Sequence, residues 1–258
     1  MVAAMTIAVA RICRYPVKGM TAETLDAVAL TPGRGLPDDR RFAVALGSTP
    51  VGGATTPWMP KNSFLSLLRH EKLATLKSRF ESDTGTLTIE RGGRQVSRGV
   101  ITTTLGRAMV EEFFAAFMGA DGLGRLRLVE AEDGAMLSDV STPMVSIINL
   151  GSVKDLERVT ARPVDPLRFR GNLYIEGAPA WSEFNWPGKE IAVGGVRLKV
   201  EERIGRCAAT SVDPATGVRD INIPASLQRG FRHADCGVYA TVIGAGTVTT
   251  GDALTPPA

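Results

Sequence analysis

The chain has 258 residues, enough to bury a sizeable core in one large domain or two modest ones. Hydrophobic residues at 44% and charged residues at 22% are ordinary for a soluble globular protein. No apolar run approaches the ~20 residues a membrane-crossing helix needs, and a formal charge of +3 is too small to indicate a nucleic-acid partner.

The apolar start is followed by arginine, the reverse of the charge order in a secretory signal peptide. Ile7–Arg14 therefore reads as the first strand of a cytoplasmic protein, ended by Tyr15-Pro16. Residues 24–30 and 41–46 read as further strands. After Pro60, the spacing of Phe64, Leu67 and Leu68 predicts a short helical turn. Residues 73–80 and 86–90 predict a hairpin around Asp83-Thr84-Gly85. The clearest helix spans 102–118, where Leu105, Ala108, Met109, Phe113, Ala116 and Phe117 recur near a period of 3.6 and Gly119 suits a C-terminal cap. A second helix is expected at 152–160, with Ser152 and Asp155 as its capping pair.

Residues 144–150, 172–176, 189–194 and 196–204 are strand-like, and 238–244 with 246–252 read as a last hairpin. Twenty-eight glycines and fifteen prolines imply many turns, so strands should outnumber helices. The expected class is α+β, mostly β: a β-barrel with helical decorations plus a smaller N-terminal module. The helix at 102–118 is the natural divide, giving modules at 4–118 and 119–256.

Cys13, Cys207 and Cys236 are odd in number and form no close pair, which argues against a disulfide framework and for a reducing compartment. Cys207 follows a strand and precedes a polar turn, beside Arg203 and Arg206, whose charges favour a thiolate. A thiolate serves metal ligation or nucleophilic chemistry, whereas a free cysteine otherwise behaves as a small core residue. Cys13 reads as packing, and Cys236, before Gly237, reads equally as a turn residue or a ligand. His70 and His233 lack zinc-ligand spacing, and no Walker loop or GxGxxG is present.

Lys18, Arg40, Arg41, Arg168 and Arg170 sit beside turns. Singly they are surface charges; converging, they would hold a phosphate, with Ser141 and Thr142 as added hydroxyl donors. Asp213-Pro214-Ala215-Thr216-Gly217 reads as a tight connection.

Two groups of motifs then resemble one family. Tyr15-Pro16-Val17-Lys18-Gly19 and Gly35-Leu36-Pro37-Asp38-Asp39-Arg40-Arg41-Phe42 resemble the β-barrel module that precedes MOSC domains. Phe169-Arg170-Gly171-Asn172, Trp186-Pro187-Gly188, Gly205-Arg206-Cys207, the 210–217 segment, Gly237-Val238-Tyr239 and Gly251-Asp252 resemble the MOSC domain itself, the C-terminal module of molybdenum-cofactor sulfurase. The resemblance implies a β-rich barrel that binds the molybdenum cofactor, a molybdopterin with one phosphate. In relatives similar to the mitochondrial amidoxime-reducing component, the cysteine matching Cys207 ligates molybdenum. Lys18, Arg40, Arg170 and Asn172 match positions that hold the pterin and its phosphate; Thr142 and Tyr239 are looser matches. Arg206, adjacent to the cysteine, is grouped with these anion-holding residues. Gly19 and Gly205 stand where relatives often carry serine.

The function so implied is reduction of N-hydroxylated small molecules at a Cys207-ligated molybdenum. No four-cysteine iron–sulfur cluster follows Gly251-Asp252, so a separate ferredoxin- or flavoprotein-like donor is expected. A second reading is a sulfur carrier, with a Cys207 persulfide supplied by a cysteine desulfurase. A third is a barrel that binds a ligand without chemistry. Nucleic acid and membrane are not expected partners.

Overall fold

The computed structural model describes residues 6–119 and 123–257. Residues 4 and 5 of the expected N-terminal module and residues 120–122 at the expected junction lie outside the described residues. Among the described residues the chain begins with β1 (Ile7–Arg14), β2 (Glu23–Leu25), β3 (Ala27–Leu30), β4 (Phe42–Ala45) and β5 (Thr55–Thr56). An antiparallel meander follows, β6 (Leu76–Glu81), β7 (Thr86–Arg91) and β8 (Arg94–Val100). Helix α1 (Thr104–Met118) and β9 (Arg127–Ala131) lead into β10 (Val145–Asn149), α2 (Leu150–Thr160) and β11 (Leu173–Glu176). The chain ends with β12 (Glu190–Val193), β13 (Val196–Gly205), α3 (Ile223–Phe231), β14 (Asp235–Gly244), β15 (Gly246–Thr249) and β16 (Ala253–Thr255).

Seven strands close into a barrel in the order β11-β10-β14-β13-β12-β16-β1, with β1 pairing back onto β11. The fold is thus α+β and mostly β, as the turn-rich composition implies. Along β13 the first residues alternate strictly. Val196, Leu198 and Val200 are buried, while Arg197 and Lys199 face outward, the pattern of a strand with one wet face. The barrel core is mainly aliphatic, from Val9 and Ile12 on β1 to Val238 and Ala240 on β14, with Phe184 and Trp186 packed into it. A second core gathers Phe42, Leu65, Leu73, Phe80, Leu87 and Phe114. β1 pairs with β11 and β16, β3 with β15, and β4 and β5 with β9, so five strand pairings cross the expected 118/119 division.

Several sequence expectations are corrected. Helix α1 starts at 104, capped by the Thr103 hydroxyl, and Gly119 follows its last residue. Its buried stripe is Gly106, Val110, Phe114 and Met118, and of the expected apolar face only Phe113 and Phe117 pack, partly buried, against the second core. Leu105 is 74% exposed and Met109 49%. The cause is Gly106, where any Cβ would strike the Val100 carbonyl. Its missing side chain lets the helix lie against β8, and an apolar-residue pattern does not register it.

Helix α2 is capped by Asn149, whose side chain accepts from the Gly151 amide. Ser152 instead donates to the buried Glu183 carboxylate (2.8 Å), which also accepts from Asn149 (2.7 Å). Burial pushes the Glu183 carboxyl above its usual range, against these hydrogen bonds. The expected hairpin of 238–252 does not form, because β15 leaves β14 to pair with β3. The run at 24–30 breaks between β2 and β3, residues 73–75 belong to a 3-10 turn, and β8 and α3 were not foreseen. No helix of the described residues is long and apolar enough to cross a membrane.

Candidate functional site

One rim of the barrel gathers the starts of β10 and β11 and the end of β13. N-terminal segments around Lys18, Arg40 and Leu67 cover this rim, as does the 136–144 segment, and a cavity of about 360 Å³ remains between them. It brings together Cys207, Lys18, Arg40, Arg170, Asn172, Arg206 and Tyr239, residues that span 222 positions of the chain. Thr142 is not in its lining and is exposed in the bend before β10. Seven lysines and arginines line the cavity against three carboxylates, Asp39, Asp139 and Glu202. That excess favours an anionic ligand.

Tyr15 and Asp39 organise the cationic wall. The guanidinium carbons of Arg40 and Arg170 lie 4.4 and 4.3 Å from the Tyr15 ring centroid, within cation–π range. Both arginines adopt left-handed backbone, φ 49° and 52°, a conformation that costs a non-glycine residue roughly 1–3 kcal/mol. Tertiary bonds hold them there: Arg40 donates to the Arg170 carbonyl (2.6 Å) and Arg170 to the Met20 carbonyl (2.7 Å). The Asp39 carboxylate accepts from the Tyr15 amide (2.7 Å), from Arg40 (2.5 Å) and from Asn172 (3.0 Å). Burial lowers the Arg170 guanidinium to about 10, with Arg40 adding to the effect. Burial opposes the Arg40 charge as well, but Asp39 and Tyr15 offset it and the net shift is upward.

Asn172 is structural at this wall. Its carboxamide oxygen accepts from the amide and hydroxyl of Ser146, and its nitrogen donates to Asp39 and the Cys13 carbonyl. Its hydrogen-bonding capacity is fully used. Arg206 is likewise locked, donating to the carbonyls of Cys236 and Phe169. Gly237 allows this close packing: with φ 78°, a Cβ there would meet Ile148 and approach Arg206. Arg203 points to the Phe184 carbonyl (3.2 Å).

Lys18 is buried, and its ammonium donates to the Leu137 carbonyl (2.9 Å) and to Asp139 (2.7 Å). Burial lowers its pKa, while Asp139 resists that shift. Lys61 stands 3.6 Å from the other Asp139 oxygen. An anion approaching Lys18 therefore meets the Asp139 carboxylate. Asp139→Asn is expected to tighten inorganic phosphate binding roughly three- to tenfold, a modest gain because the carboxylate is half exposed. Titration calorimetry would check this, and equal or weaker binding would contradict it.

Cys207 is half-buried, at the start of the 3-10 turn Ala208–Ser211 just beyond β13. Its carbonyl accepts from the amide and hydroxyl of Thr210 (3.1 and 2.8 Å), and its side chain caps nothing. Cys13 and Cys236 are fully buried, and all three cysteines are free. Burial pushes the Cys236 thiol up to about 12. His233 packs among Trp181, Phe184 and Phe231, and His70 accepts from the Ser66 amide (3.3 Å). The sequence reading missed Tyr15, Asp39, Lys61 and Asp139 as site residues. Only Asp39 left a signal, as an acidic residue beside the candidate Arg40.

The barrel rim thus places the half-buried Cys207 in a cavity whose lining is rich in lysine and arginine. Residues 138–255 match the MOSC domain model. The chain is similar to mitochondrial amidoxime-reducing component 1 of Mus musculus, 30% identical over 133 residues, covering 47% of this chain and 38% of that protein. The Homo sapiens counterpart is 30% identical over 137 residues, covering 48% and 40%. The match spans about two fifths of those relatives' length. The crystal structure of the YUAD protein from Bacillus subtilis superposes with a TM-score of 0.45 at 12% identity, covering 97% of this chain and 94% of that one.

Proposed function

We propose that this protein binds the molybdenum cofactor and reduces N-hydroxylated small molecules, with Cys207 as the metal ligand. One observation carries the reading: a half-buried thiol opens onto a cavity whose lining holds four more cations than carboxylates. The residues fit such a group. A thiolate suits a high-valent soft-ligand metal, arginine forks suit a phosphate, and about 360 Å³ is within the usual size of small-molecule sites. The relatives named amidoxime-reducing components support the same reading.

In this reading Lys18, Arg40 and Arg170 hold the anionic part of the cofactor, with Tyr239 beside them on β14. Arg206 and Asn172, both locked into the wall, shape it rather than close on the ligand. The cofactor supplies two-electron redox chemistry when bound. Overall, two electrons and two protons cleave the substrate N–O bond, leaving the reduced nitrogen and one water. The electrons come from a separate ferredoxin- or flavoprotein-like donor.

The test is metal analysis with pterin fluorescence on protein from a cofactor-producing host. Near-stoichiometric molybdenum, with reduction of benzamidoxime by reduced methyl viologen, is the expected result. Protein that carries no molybdenum yet takes up sulfane sulfur on Cys207 from a cysteine desulfurase would overturn it in favour of a sulfur carrier.

A further inference from the structure

Asp213-Pro214-Ala215-Thr216-Gly217 has no part in the chemistry above, yet it is built with care. Asp213 accepts from the amides of Ala215 and Thr216 and from the Thr216 hydroxyl, and Arg168 donates to its other oxygen. Gly217, at φ 73°, packs on Glu71 and Thr75 of the N-terminal half. The turn closes a bridge between Val212 and Arg219, and this fixes where the Arg219 side chain starts.

Arg219 then ties three carbonyls together. One guanidinium nitrogen donates to Ala208 (2.7 Å), the residue after Cys207. Another donates to Leu67 (2.9 Å) and Leu68 (2.8 Å), with Glu71 at 3.4 Å. The cysteine turn and the Leu67–Leu68 turn come from opposite halves of the chain and both line the cavity. Ala209 packs against the core that holds Leu67. Leu67, Leu68 and Ala209 therefore give the cavity lining an apolar stretch, while Lys18, Arg40 and Arg170 line it with charge.

We infer that the Leu67–Leu68 turn is the wall that selects substrates at Cys207, and that Arg219 is the positioning residue that sets its distance. The wall takes an uncharged, apolar-bodied substrate, such as an aryl amidoxime, in preference to a small polar one. This rests on the reductase reading above. A side chain that packs on one or two methyl groups of a substrate is worth about tenfold in discrimination.

The experiment compares benzamidoxime with hydroxylamine, which has no body to rest on the wall, in holoprotein of equal molybdenum content. Leu68→Ala and Arg219→Ala should each raise KM for benzamidoxime about tenfold. Turnover of hydroxylamine and kcat for benzamidoxime should stay within about twofold. Arg219→Lys, which reaches fewer carbonyls, should fall between. Equal loss on both substrates, or no change in their ratio, would overturn the inference.

A second arm needs no turnover: binding of benzamide, followed by saturation-transfer NMR, should weaken in Leu68→Ala and Arg219→Ala. If wild-type protein reduces neither substrate, the reductase reading fails alone, and this arm still decides the wall. Unchanged benzamide binding in both variants would then overturn it.

Discussion

Cys207→Ala is expected to abolish bound molybdenum and to lower amidoxime reduction by more than the ~10–100-fold typical when a residue one layer behind the metal is replaced. The fold should survive, with Tm changed by less than about 2 °C. The two halves of this expectation come from different atoms of one residue. The Cys207 backbone carbonyl organises the 3-10 turn through Thr210, and alanine keeps that carbonyl. Its thiol caps nothing and is half-buried beside the cavity. Cys236→Ala is the opposite control. That thiol is sealed in a core of Ile148, Phe169 and Leu227, so its loss leaves a cavity and lowers stability while molybdenum content stays high. Metal content and thermal unfolding on both variants decide the matter. A Cys207→Ala protein with full molybdenum would refute the ligand assignment, whatever its activity.

Much of this was readable from the residues, and what was not has specific causes. The strands of the barrel were legible because β1, β10, β11 and β13 carry long apolar or alternating runs. Their pairing was not. β15 looked like half of a terminal hairpin, yet it pairs with β3 from more than 200 positions earlier, and nothing local encodes that partner. The buried face of α1 was misread because its contact centre is a glycine. Cationic residues of the site were legible as types beside turns, and their convergence was supplied by the resemblance, not by spacing. Tyr15 and Asp39 escaped because a buried aromatic and a buried carboxylate act on other side chains, not on a ligand. Lys61 and Asp139 escaped because their link to Lys18 spans the fold.

Asp39 carries the second large effect. Its side chain is fully buried, and it serves three donors from three parts of the chain: the Tyr15 amide, Arg40 and Asn172. Asp39→Ala strands all of them in the interior. Removing one partner of a buried ion pair costs about 3–5 kcal/mol. In a chain of this size each kcal/mol moves Tm by roughly 2–4 °C, so a fall of about 10 °C is expected.

Asp39→Asn should do little better. Its oxygen can accept from Tyr15, but its NH₂ would face the donors of Arg40 and Asn172. Removing a negative charge from a cationic wall would, on charge alone, strengthen phosphate binding. Geometry should win instead. The left-handed backbone of Arg40 is strained, and Asp39 is the anion that holds its guanidinium beside that of Arg170 over Tyr15. Released from it, the two like charges separate and the shared site is lost, so both variants should bind inorganic phosphate more weakly than wild type. Thermal unfolding and phosphate titration on the two variants test both halves. A Tm within about 3 °C of wild type would show that Asp39 does not hold the wall, and tighter phosphate binding would show that charge outweighs its placement.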